Sequence, residues 1–376
     1  MQPDRYISRL RLSHFRNHTA TAMDLDQRHV VLTGPNGAGK TNLLEAISLF
    51  SPGRGLRRAP FDTLAEAGGS LPWAVATTIE TPDGPVDMGT GLADGGTGRR
   101  LRINGANATA IEALSDYVRI LWLTPDMDGL FRGPASDRRR FLDRLVMTLI
   151  PGHGIAVASF EKAMRQRNRL LDEDGGDIAW LNAIEAQMAE HAAAIHFARI
   201  DTLGHLQALA RKSVDETAFP AAQLSLARSF EMDGDDPVSS SVLEANWVQV
   251  WKDNRALDRT AGRTTKGPHL VDFQVLHQQK SMPAALCSTG EQKALLLGLV
   301  LAHARLIASM TRLVPILLMD EIAAHLDSSR RETLFCALDD LGTQCWMTGT
   351  DVESFASIGT NVQYFHVTAG LVASTG

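Results

Sequence analysis

Gly34-Pro35-Asn36-Gly37-Ala38-Gly39-Lys40-Thr41 follows a short apolar run, His29–Thr33, and precedes Asn42–Phe50, where Leu43, Ala46, Ile47 and Phe50 recur at helical spacing. The octet matches the pattern G-x-x-x-x-G-K-S/T, and strand, loop, helix is the setting that the pattern requires. With glycine near 7% of residues, chance would put such a match in about one chain in a hundred of this length. Glycines let backbone amides close around a phosphate, and the N-terminus of the following helix favours its negative charge. Lys40 would reach the β- and γ-phosphates, and the Thr41 hydroxyl would ligate Mg²⁺. The stretch therefore predicts an ATP or GTP site built from Gly34, Asn36, Gly37, Gly39, Lys40 and Thr41.

Downstream, the apolar run Ile316–Met319 ends in Asp320-Glu321. Alone, that is the signature of a capped strand; after a complete phosphate loop it supplies the missing chemistry. Asp320 would hold Mg²⁺ with Thr41, and Glu321 would orient or deprotonate the attacking water, so Lys40, Asp320 and Glu321 are the catalytic candidates. Between the two lies Ser288-Thr289-Gly290-Glu291-Gln292-Lys293, ahead of an apolar stretch. Ser288 and Glu291 have capping-box spacing, which starts a helix. A serine hydroxyl and a glycine amide at that helix start also make a second anion site. The order phosphate loop, Ser-x-Gly-x-Gln, Asp-Glu is that of ABC-type ATPases, in which Ser288 and Gly290 would close on a nucleotide held by another subunit. His325-Leu326-Asp327 fits the segment with which such proteins cross a dimer interface.

The chain has 376 residues, enough for one large domain or two modest ones. Its net charge of −6 gives no global positive field, so nucleic acid would have to be met by local patches. Candidates are Arg54, Arg57 and Arg58; Arg138–Arg140; and Lys162–Arg169. Three cysteines (Cys287, Cys336 and Cys345) without paired-ligand spacing suit a reducing cytoplasm. Met1–Leu12 is charged and alternating, unlike a signal peptide. The longest apolar run, Ala294–Ala302, reads as a buried helix, and no membrane span is expected.

Tyr6–Phe15 alternates as a strand, with Leu10 and Leu12 opposite Arg9, Arg11 and Ser13. Turn-rich stretches, Ser51–Pro60 and Thr81–Arg100, bracket a strand at Trp73–Glu80. Phe141–Ile150, Phe160–Leu171 and Trp180–Val214 have helical period, with a polar turn at Asp172–Asp177 and a polar loop at Glu231–Ser241. After Lys266 strand and helix alternate, with strands at Ile316–Met319 and Trp346–Thr348. The expected architecture is α/β: an ABC-type, SMC-like P-loop ATPase head with an inserted, mainly helical second lobe. Residues 1–134 and 266–376 would form the head and residues 135–265 the lobe.

Further segments carry a family resemblance along nearly the whole chain. Ile7–Asn17, with Phe15-Arg16-Asn17, resembles the opening strand of the RecF family of bacterial DNA-repair ATPases. Thr124–Leu130, then Gly133-Pro134-Ala135-Ser136-Asp137-Arg138-Arg139-Arg140-Phe141-Leu142-Asp143, is similar to its central motif. Phe160–Leu171, Gly267-Pro268-His269 and Ser288–Leu297 complete the match. Two departures stand out. The family's Arg-Asp-Asp after Gly-Pro-His is replaced by Leu270-Val271-Asp272, and Thr348-Gly349-Thr350-Asp351 stands where transporter ATPases carry a histidine.

The resemblance implies a slow, DNA-stimulated ATPase of recombinational repair and replication-fork maintenance. ATP would join two subunits on duplex or gapped and single-stranded DNA, and hydrolysis would release them, supporting RecA loading with RecO and RecR. Arg16 and Asp327 would join the nucleotide contacts. The rival readings are an SMC-like repair ATPase, a transporter nucleotide-binding subunit and a small-molecule P-loop kinase; in the last, Ser288–Lys293 would have no role.

Overall fold

A computed structural model of the chain describes residues 3–69, 71–92, 98–173, 177–212, 219–227 and 239–375. In chain order the elements are β1 (Tyr6–Phe15), β2 (His18–Asp24), β3 (His29–Thr33), α1 (Lys40–Ser48), β4 (Ala74–Glu80), β5 (Val86–Leu92), β6 (Arg99–Ile103), β7 (Ala106–Asn107) and β8 (Ile120–Leu123). There follow α2 (Ala135–Leu149), α3 (His153–Asp172), α4 (Ile178–Lys212), β9 (Ala222–Ala227), α5 (Ser240–Asp253), α6 (Arg255–Ala261), β10 (Asp272–His277) and β11 (Met282–Pro283). The chain continues through α7 (Thr289–Thr311), β12 (Ile316–Met319), α8 (Ser328–Leu341), β13 (Cys345–Gly349), β14 (Val362–Thr368) and β15 (Leu371–Ser374). Two compact units result: Met1–Asp128 with Lys212–Ala221 and Ser288–Gly376, and Gly129–Arg211 with Ala222–Cys287.

The first unit holds two sheets. One is antiparallel, in the order β2-β1-β4-β5-β6-β7. In β1, Ile7, Leu10, Leu12 and Phe15 are buried and Arg9, Arg11 and Ser13 exposed, the one-sided pattern of a sheet with a solvated face. The other sheet has the order β15-β14-β3-β13-β12-β8, with parallel pairing throughout except for the β14–β15 hairpin. β3, β8 and β12 are buried at every residue, as strands covered on both faces must be. Helix α1 shares one core with both sheets, through Leu43, Leu44 and Ile47 against residues such as Leu12, Val75, Leu32 and Leu318.

Two readings of this unit change. The Thr81–Arg100 stretch contains β5 and the start of β6, with Val86, Met88 and Thr90 buried on alternate residues. Asp-Gly and Gly-x-Gly within the segment imitate loop composition, but the strands on either side override it. Helix α1 begins at Lys40 instead of Asn42. The Ala294–Ala302 run lies in α7, which by length and composition alone could cross a membrane. Its residues Ala294–Leu297 and Leu299–Leu301 are buried in the protein.

The second unit is mainly helical, with a three-stranded antiparallel sheet, β11-β10-β9. Phe160, Met188, Trp247 and Trp251 form its core around the small residues Ala189, Ala192 and Ala193 of α4. Inside this core lies a charged cluster. Arg167 is fully buried and donates to Glu185 Oε1 (2.9 Å), Asp258 Oδ2 (2.7 Å), Thr264 Oγ1 (3.0 Å) and the Trp251 carbonyl (2.8 Å). Of the turn at 172–177 and the loop at 231–241, residues 174–176 and 231–238 lie outside the described residues, as do 213 and 214 of the expected third helix.

The central arginines are held within this unit. Arg138 grips Asp272 with two bonds of 2.8 Å, Arg139 donates to the Val271 carbonyl at 3.0 Å, and Arg140 pairs with Asp137. At the departure from the family's pattern, Arg139 uses only backbone at Val271, and the retained Asp272 carries the Arg138 ion pair. In the Lys162–Arg169 cluster, Arg167 is core, whereas Lys162, Arg165 and Arg169 are exposed.

Candidate functional site

β3 lies between β13 and β14 and delivers the chain into the glycine loop at its C-terminal end. Gly34 (φ 141°) and Gly39 (φ 117°) take left-handed backbone that side chains rarely adopt. A Cβ at Gly34 would be driven into the Val367 carbonyl, and one at Gly39 would fall 2.7 Å from Asn17 Oδ1. The loop's carbonyls are engaged from beneath. Ala38 O accepts from Asn17 Nδ2 and from the Gly370 amide, both at 2.9 Å, and Gly39 O lies 3.1 Å from His18 Nε2. Lys40 Nζ donates to Gly34 O (2.6 Å) and Pro35 O (3.0 Å). With these carbonyls occupied, the polar backbone groups suited to an anion are the amides.

Lys40, Thr41, Asp320 and Glu321 come together here. Thr41 Oγ1 donates to Asp320, 2.9 Å from Oδ1 and 3.0 Å from Oδ2. Burial pushes the Lys40 ammonium below its ordinary range, and the Glu321 and Asp320 carboxylates partly restore it. A phosphate would complete that compensation. Asp320 is buried at the end of β12, and its amide bonds Leu123 O at 2.9 Å. Glu321 adopts left-handed backbone (φ 50°, ψ 31°).

A hydroxyl and a carboxylate are hard oxygen donors, suited to Mg²⁺. Among the described residues no group of three or more His, Cys, Asp or Glu could hold a metal ion.

The remaining candidates are placed elsewhere. Ser288 is exposed and starts α7 with a full capping box: its hydroxyl lies 2.9 Å from Glu291 Oε2, its amide donates to the same oxygen at 3.0 Å, and it accepts from the Glu291 amide at 3.4 Å. Gly290 is exposed two residues on. Asp327 caps α8, accepting from the Arg330 amide at 2.9 Å. Arg16 makes a bidentate pair with buried Glu45 of α1 (2.9 and 2.7 Å) and bonds Thr63 O at 3.0 Å. Asn36 and Gly37 lie at the exposed tip of the loop.

His18 carries no signal in the sequence, and Asn17 enters it only through the Phe15-Arg16-Asn17 resemblance. Asn17 and His18 brace the loop from a different strand pair, and Glu45 gathers both Arg16 and Arg57, the latter at 2.9 Å. Glu45 in the middle of the loop's own helix was the available hint, since a buried acid needs a cation.

Residues 6–372 match the family model described as the RecF/RecN/SMC N-terminal domain. The chain is 50% identical to the DNA replication and repair protein RecF of Rhizobium meliloti over 370 residues, 98% of each chain. It is 51% identical to that of Agrobacterium fabrum, covering 97% of each. Among solved structures, the recombination mediator protein RecF-ATPrS in the RecFOR pathway superposes with a TM-score of 0.86 at 22% identity, covering 100% of this chain and 99% of the other. An SMC head domain from Pyrococcus furiosus, bound to part of ScpA, gives a TM-score of 0.54 at 15% identity over 99% of this chain and 96% of that one. These two likenesses establish the expected fold, an SMC-like ATPase head of mixed α/β structure. With the sequence relatives and the family model, they lead to one assignment: the chain belongs to the RecF family of DNA replication and repair proteins.

Proposed function

We propose that the chain is a slow, DNA-stimulated ATPase of recombinational repair, in which ATP joins two copies of the chain on duplex or gapped DNA and hydrolysis lets them part. The observation that carries this reading is a division within the first unit. Lys40, Thr41, Asp320 and Glu321 share one cluster, while the exposed Ser288 and Gly290 start a different helix whose capping is already complete. The first-turn amides that this cap does not use, that of Gly290 among them, would offer an anion site to something outside the chain. In the proposal it meets the nucleotide held by a second copy.

ATP with Mg²⁺, when bound, supplies the phosphoryl group and the charge that offsets its oxygens. The chain's own groups do the rest. Lys40 holds phosphate oxygens, Thr41 and Asp320 orient the ion, and Glu321 takes the proton of the water that attacks the γ-phosphorus. ATP favours the closed pair only through its added contacts there, so hydrolysis reverses the closure. Arg16 and Asp327 complete the proposed nucleotide contacts, in a head of residues 1–134 and 266–376 with an inserted lobe at residues 135–265. The exposed basic residues Arg54, Arg57, Arg58, Lys162, Arg165 and Arg169 are the candidates for DNA phosphates. The proposal extends to work alongside RecO and RecR in loading RecA, in the cytoplasm, as the family resemblance implies.

Ser288→Arg is the direct test. Losing the cap costs about 1 kcal/mol, too little to unfold the protein. The variant should still bind a fluorescent ATP analogue as a single subunit but lose ATP-dependent dimerisation in sedimentation velocity. Dimerisation at the wild-type ATP concentration would refute the shared site.

A further inference from the structure

β13 runs between β3, which carries the phosphate loop, and β12, which carries the acidic pair. It pairs with β12 through Leu317 and Cys345, Leu318 and Trp346, and Met319 and Met347, so the next residue, Thr348, comes level with Asp320. We infer that Thr348 is a positioning residue that sets Asp320 and Glu321 together, with one hydroxyl used twice. The inference rests on the reading of this cluster as an ATP-hydrolysing site.

Thr348 is fully buried. Its Oγ1 accepts the Glu321 amide hydrogen at 2.8 Å and lies 2.6 Å from Asp320 Oδ1. The direction of each bond is forced. An amide N–H can only donate and an ionised carboxylate can only accept, so the single hydroxyl hydrogen goes to Asp320. The bond to Asp320 is charge-assisted and short, the stronger class of hydrogen bond.

Two geometries depend on this side chain. Glu321 sits at φ 50°, a region where a residue with a side chain is strained and needs surrounding contacts to stay. Its amide bond to Thr348 is such a contact, and it fixes where the Glu321 carboxylate begins. Asp320 Oδ1 meets both Thr348 and Thr41, so the plane of the carboxylate that would face Mg²⁺ is set from both sides. None of the described hydrogen bonds of Thr348 goes to the glycine loop. Its loss should therefore spare phosphate binding and impair ion placement and turnover. Partners that orient metal-holding groups typically contribute 10–100-fold to metal affinity or activity.

The experiment compares the wild-type protein with Thr348→Val, which keeps the shape without the hydroxyl, and Thr348→Ser, which keeps the hydroxyl. Thr348→Ala carries the same test if the valine variant does not fold. Two readouts are needed: kcat and KM for ATP in excess Mg²⁺, and the Mg²⁺ concentration at which a fluorescent ATP analogue is half bound. Thr348→Val should lower kcat by about 10–100-fold with KM nearly unchanged, and raise the Mg²⁺ requirement on a similar scale. Thr348→Ser should stay near wild type in both. Wild-type kcat and Mg²⁺ requirement in Thr348→Val, or equal defects in the serine and valine variants, would overturn the inference. A wild-type protein that binds no ATP analogue would overturn the reading of the site itself, and this inference with it; that result is visible before any substitution is made.

Discussion

Glu321→Gln should lower steady-state ATP turnover by about 10²–10⁴-fold, the usual contribution of a positioned general base. The substitution preserves size and the left-handed backbone at this position but cannot accept the proton of the attacking water. Phosphate binding depends on the glycine loop and Lys40, so affinity for ATP should be kept. Because closure would follow binding and opening would follow hydrolysis, the variant should accumulate as an ATP-bound dimer. Single-turnover hydrolysis with sedimentation velocity in parallel measures both effects. Turnover at the wild-type rate would mean that another group activates the water, and the role given to Glu321 would be withdrawn.

Arg167→Met should destabilise the second unit by about 3–5 kcal/mol, the range for breaking a buried ion pair by removing one partner. Arg167, Glu185 and Asp258 are all wholly buried, and Arg167 ties the two acids together from α3. Asp258 would keep Thr265, whose amide and hydroxyl lie 2.8 and 2.6 Å away, and Glu185 would keep Arg255 at 3.0 Å. Neither replaces the lost central charge. Urea denaturation followed by tryptophan fluorescence reports on this unit through Trp247 and Trp251, which lie in its core. Replacing all three residues with apolar ones of similar volume should recover much of the loss. A change below about 1 kcal/mol in the single variant would show that the cluster is not a buried charge network in solution.

The contrast between these two sites explains what could be read in advance. The nucleotide cluster was legible because its parts are local signatures: a glycine octet between strand and helix, and two acids at the end of an apolar run. Ser288 with Glu291 was legible as a cap for the same reason. Arg167 was not, since an arginine in a helix of mixed period is ordinarily solvated; its burial follows from Glu185 and Asp258, 18 and 91 positions away. Thr348 reads in sequence only as the end of a strand and the absence of a histidine, because its partners, Asp320 and Glu321, are reached across a parallel strand pair 28 and 27 positions earlier.

The fold shows the same division. β1, β3 and β12 declare themselves by alternation or by apolar runs. β5 hides behind Asp87, Gly89 and Gly91, and β8, β9 and β14 went unread. β8 is only Ile120–Leu123 and gains its identity from pairing with β12, nearly two hundred residues downstream. Short strands of this kind are specified by their neighbours more than by their own composition.

The central claim is that the nucleotide site is shared between two copies of the chain, and ATP turnover against protein concentration tests it most directly, with and without gapped duplex DNA. Shared sites predict activity per subunit that rises with concentration until dimers saturate, and DNA that raises it further. Activity per subunit independent of both concentration and DNA would mean that the site is complete in one chain, and would contradict the account.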